Sequence, residues 1–172
     1  MITDFVTGEQ VPNVGAEENR QAVEHFLVNE KGFHKEDIEV DADIEVVIGG
    51  VTYRSQIDLI VSVDGKRFMA IKCAAGSLGS REREVLSAAR ILDLHPLPRA
   101  IASDGKNAIV MDVVSGTKIG EGMEAICSKD AAKTILQETG FQPLAEKHLE
   151  REKQIFRAYD MMNVNVRRKL DL

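Results

Sequence analysis

Two charged residues stand inside strand-like apolar sequence: Asp58 near the start of QIDLIVSV and Lys72 near the end of KRFMAIKC, two runs joined at Asp64-Gly65. A charge carried into apolar surroundings is costly unless it is paired or put to use. One use for an aspartate and a lysine across a hairpin is phosphodiester hydrolysis. That reaction needs a divalent metal to activate water and neutralise developing charge, and hence clustered carboxylates, often with a lysine. The competing reading is an internal ion pair, or, for Lys72 alone, a lysine whose stem is buried while its ammonium reaches water at a strand end.

The turn decides which side chains meet. A two-residue loop at Asp64-Gly65 pairs Val63 with Lys66 and puts Asp58 and Ala70 on opposite faces, because side chains alternate along each strand. A three-residue loop of Val63, Asp64 and Gly65, with the glycine in the left-handed conformation of a type I turn plus G1 bulge, pairs Ser62 with Lys66 instead. The second arrangement is the expectation. Asp58 then faces Ala70, where a second carboxylate would be needed, and Lys72 faces Gln56.

The elements around the hairpin follow from periodicity. Residues 1–15 read as an irregular lead-in. A helix is expected from about Ala16 to Lys31, with Val23, Phe26 and Leu27 on its apolar stripe and Glu17, Arg20 and Glu24 along one margin. IEVDADIEVVI alternates as a half-buried strand and turns at Gly49-Gly50 into Val51 to Ser62; Lys66 to Ala74 is the third antiparallel strand. Ser80 is the expected cap of a helix to about Leu94, with Val85, Ala88, Ala89 and Leu92 buried and Arg81 and Glu82 flanking them. Arg99 to Ser103 then returns parallel to the third strand by a crossover, and Ala108 to Val114 follows Asp104-Gly105. Ser128 caps a further helix ending near Gly140, and Pro143 opens a longer charged one to about Met162. The fold class is therefore α/β, a mixed sheet flanked by helices, with residues 1–120 as the α/β domain and 121–172 as a helical extension packed on it.

Composition narrows the function classes. At 172 residues, 44% hydrophobic and 29% charged, the chain has ordinary one-domain usage. No apolar run approaches the roughly 18 residues of a membrane span, and MITDFVTGEQVP lacks the basic start and apolar core of a signal peptide, so a cytoplasmic location is expected. Cys73 and Cys127 match no metal-ligand spacing, and His25, His34, His95 and His148 are scattered, which sets aside a zinc site and a serine-type triad. A net charge of -6 does not suit a generic nucleic-acid binder. DNA would have to meet a local basic patch or a field supplied by another subunit; Arg167-Arg168-Lys169 reads as a small basic patch or, more commonly for such a run, a solvated terminus.

The order helix, three antiparallel strands, helix, strand, with Asp58 in RSQIDLIV and Lys72 in FMAIKC, resembles the PD-(D/E)xK nuclease fold. More narrowly, the passage from Glu17-Glu18-Asn19-Arg20 through Ala70-Ile71-Lys72-Cys73 to Arg81-Glu82-Arg83 resembles the N-terminal domain of type I restriction enzyme R subunits and small stand-alone relatives, over roughly residues 15 to 115. Arg157-Ala158-Tyr159-Asp160 looks like the tail of some of those relatives. The resemblance implies a restriction-endonuclease-like sheet, DNA as partner, and Mg or Mn held by Asp58 with help from Glu17 or Glu82, while Lys72 positions or activates water.

Three departures qualify it: Ala70-Ile71-Lys72 replaces Glu-x-Lys, Ile57 replaces the proline before Asp58, and the following helix lacks Gln-x-x-x-Tyr. Some nucleases of this fold carry the second acid on the next helix, which is the reason for naming Glu82. As first-turn acids, Glu17 and Glu82 need no function at all. The expectation is a domain whose metal-dependent DNA cleavage is weakened or lost. The alternative is a non-catalytic module on the same fold that binds nucleic acid, a protein partner or a second copy of itself, the acidic pI favouring protein.

Overall fold

The structure, a computed structural model, describes residues 1–140 and 142–163; the basic run Arg167-Arg168-Lys169 lies outside them. The lead-in forms a short antiparallel pair, β1 (Ile2–Thr3) with β2 (Gln10–Val11), before helix α1 (Glu17–Asn29). The alternating acidic run becomes β3 (Ile38–Ile48), which turns at Gly49-Gly50, both at positive φ, into β4 (Val51–Val63) and then β5 (Lys66–Cys73). Helix α2 (Gly79–Ile91) crosses over to β6 (Arg99–Ser103), and β7 (Ala108–Asp112) and β8 (Thr117–Glu121) follow as a meander. Helices α3 (Lys129–Glu138) and α4 (Glu146–Asn163) complete the described chain.

Strands β3 to β8 form one mixed sheet in sequence order, antiparallel throughout except for the parallel β5/β6 pair. Val23 and Leu27 of α1 and Ala132 of α3 pack on one face with Leu59, Val61, Met69 and Ile71. Val85, Ala88 and Ala89 of α2 and Phe156 of α4 pack on the other with Ile60, Ala70 and Ala100. Asp41 sits at the crossing between these two cores. Its φ of 52° breaks the alternation, so Val40 belongs to the first core while Ala42, Ile44 and Val46 belong to the second.

Two local expectations are corrected. Ser80 does not cap α2; Leu78 occupies that position without a side-chain cap, and the Ser80 hydroxyl donates to the Ser77 carbonyl at 3.4 Å. The hairpin register also differs. The turn has two residues, Asp64 and Gly65, both at positive φ (51° and 76°), and Val63 pairs with Lys66, the primed geometry that matches strand twist. The extra residue lies in the strand instead: Ser62 pairs with Arg67 and Val61 with Met69, which leaves Phe68 as a bulge. Ile60, and not Asp58, therefore faces Ala70, and the ladder ends on the rung of Leu59 with Ile71. One inserted residue flips every side chain beyond it. Ala70 and Lys72 thus turn to the α2 face, at the strand end where Asp58 waits.

Candidate active site

Where the β4/β5 ladder ends, the Asp58 side chain continues it: the Cys73 N–H donates to Asp58 Oδ2 at 2.8 Å. That bond fixes the carboxylate beside Lys72, whose Nζ stands 3.8 Å from Asp58 Oδ2 and 3.9 Å from Glu84 Oε1. Both separations exceed a directed hydrogen bond, so the ammonium is held between two carboxylates by charge. Asp58, Lys72 and Glu84 are 1%, 2% and 1% exposed. Attraction at such burial is strong, and the penalty for removing any one partner is large.

Glu84 is the residue that sequence reasoning missed. It stands in the second turn of α2, and burial pushes its carboxyl up to about 7, with Lys72 opposing and the nearby Asp160 reinforcing the rise. Neither Glu84 oxygen meets a hydrogen-bond donor, nor does Asp160 Oδ1; a bond between these two carboxyls requires a proton on one of them. Asp160 in turn accepts from the Tyr53 hydroxyl. A polar relay thus runs from β4 and α4 through α2 to β5.

The structure places the other expected ligands elsewhere. Glu17, 4% exposed, is drawn into a cluster on α1: its Oε1 accepts from Arg20 at 2.6 and 3.1 Å and from Gln21 at 3.0 Å. Arg20 also reaches Asp41 at 2.8 Å and Asp4 at 3.4 Å. Burial opposes the guanidinium charge, but Asp41 and Glu17, with Asp58 behind them, raise its pKa above the ordinary value. Arg20 therefore links the two clusters electrostatically. Glu82 lies on the opposite margin of α2, where its charge acts on Lys118 of β8. Ala70 is fully buried beneath α2, paired with Ile60 and Ala100.

Chemically, two carboxylates around an ammonium at a strand end can hold a cation or stay paired as they are. Among the described residues no group of three or more His, Cys, Asp or Glu is close enough to form a metal cluster. A cleft of about 550 Å³ lies at the other end of β5, lined by Lys66, Arg67, Asp93 and His95, so the buried trio does not open onto it. No helix among the described residues is long and apolar enough to cross a membrane.

Residues 15–127 match the family model described as the type I restriction enzyme R protein N terminus. The match runs from the residues before α1 through β8 and includes Asp58, Lys72 and Glu84; α3 and α4 lie beyond it. No curated protein and no solved structure matches the chain.

Proposed function

The chain belongs to the family of the type I restriction enzyme R protein N terminus, and from that premise we propose that Asp58, Lys72 and Glu84 form a metal-dependent, DNA-directed hydrolytic site in which α2 supplies the carboxylate absent at Ala70. The observation that carries this reading is Glu84 Oε1 at 3.9 Å from the same ammonium that stands 3.8 Å from Asp58. The donor set fits a divalent ion: Glu84 presents two buried oxygens without donors, and Mg typically uses one or two carboxylates together with substrate phosphate. When bound, Mg or Mn would polarise a phosphoryl oxygen and make water a better nucleophile. Asp58, oriented by the Cys73 N–H, and Glu84 would hold the ion, and Lys72 would neutralise charge developing on the phosphate and orient water.

The burial of the trio favours a second reading, a binding module that keeps the fold while Lys72 serves as an internal counter-ion. Supercoiled DNA incubated with Mg or Mn separates the two. The hydrolytic reading expects nicking that falls by ~100-fold or more in Asp58→Asn and in Glu84→Gln, the scale of a lost catalytic group. Intact DNA after incubation with micromolar wild-type protein removes that reading, and retention of the same DNA on a shift gel then supports the module.

A further inference from the structure

The Lys72 ammonium attracts the Glu84 carboxyl from 3.9 Å, too far for a directed hydrogen bond to set its orientation. Helix α4 packs on α2 and brings the carboxyl of Asp160, 1% exposed, close enough to act on the Glu84 carboxyl. Asp160 is itself anchored. The Tyr53 hydroxyl donates to Asp160 Oδ2, and the Tyr53 ring packs edge-on against Phe156, one α4 turn earlier and fully buried, with centroids 6.4 Å apart. Two buried carboxyls with three donorless oxygens destabilise a fold. Departures of that kind gather at functional sites.

We propose that Asp160 is a positioning residue for Glu84, holding its carboxyl towards Lys72 and Asp58, so that α4 is part of the site although it lies beyond the family-matched residues. This rests on the reading of Glu84 as a ligand of the hydrolytic site. A purely structural Asp160 would tie α4 to β4 through Tyr53 and leave Glu84 indifferent to its loss.

Carbon-13 NMR of the side-chain carboxyls in the full chain tests this, with the Glu84 signal assigned from Glu84→Gln. Substoichiometric Mn is expected to broaden the Glu84 and Asp58 signals of the wild type. Asp160→Ala is expected to move the metal-free Glu84 signal and to weaken Mn binding about tenfold, the usual effect of losing a group that orients a ligand. Asp160→Asn, which still accepts from Tyr53 and offers an amide to Glu84, is expected to restore affinity to within about threefold. If Asp160→Ala does not fold, Tyr53→Phe, which removes only the hydroxyl, carries the same test. A lowered Tm with the Glu84 signal and Mn affinity unchanged overturns the positioning role and leaves the hydrolytic site standing. No broadening in the wild type overturns both.

Discussion

At the scale of single residues, the question is what Ala70 and Glu84 exchange. Ala70 lies fully buried under Val85, Ala88 and Ala89, and a glutamate there would push a carboxyl into that packing. Ala70→Glu is expected to destabilise the fold by about 3 kcal/mol, from overpacking and a poorly partnered charge, as read by urea unfolding. If Glu84 occupies the place of the missing acid, removing it gives the new side chain room and removes a like charge. The double variant Ala70→Glu, Glu84→Ala should then be more stable than Ala70→Glu alone, with a coupling of about 1 kcal/mol or more. Simple additivity of the two changes would show that the residues do not share a site.

At the scale of elements, the mixed sheet, the β5/α2/β6 crossover and the C-terminal helices were legible because each rests on periodicity and turn chemistry. The Ser128 cap was legible for the same reason, and its hydroxyl accepts from the Ala131 N–H at 3.2 Å. Strand β8 was not, since TKIGE carries one apolar residue and is held by pairing with β7. The site needed two facts that local sequence does not carry. Phe68 shows no glycine or proline to announce a bulge, yet it decides which face Lys72 takes. Glu82 and Glu84 lie on opposite margins of the α2 stripe at 100° per residue, and only packing on β5 and β6 chooses between them. The same packing fastens α4: Glu152, 4% exposed, accepts from Arg83 at 2.7 and 2.8 Å and from Arg90 at 2.9 Å. Glu152→Ala is expected to cost about 2 kcal/mol, below the range for breaking a fully buried pair because Arg83 is about a third exposed. Hydrogen exchange should rise first in α4; uniform acceleration across the sheet would argue that the helix is not fastened there.

At the scale of the whole molecule, buried acids set opposing pH limits. Burial opposes ionisation of Asp4, Asp112 and Glu152, but hydrogen bonds from Thr7, Ser115 and Arg83 and the neighbouring arginine charges outweigh it and lower each pKa. Such depressed groups stabilise the fold above their unfolded values near 4, and that contribution is lost as pH falls through the folded ones. Glu24 acts in the other direction. Burial, reinforced by Asp4, pushes it up to about 8, against Arg20 and the Val6 N–H. A raised carboxyl gives its full stabilisation below the unfolded value near 4.5 and loses it as pH rises towards 8. Stability is therefore expected to peak near pH 5 and decline across the neutral range. Glu24→Gln keeps the shape and the donor towards Asp4 without the titration, so its urea midpoint should fall less between pH 5 and 8 than that of the wild type. Equal declines in the two proteins would mean that Glu24 is already ionised at pH 5 and that Arg20 carries the charge of the whole α1 cluster.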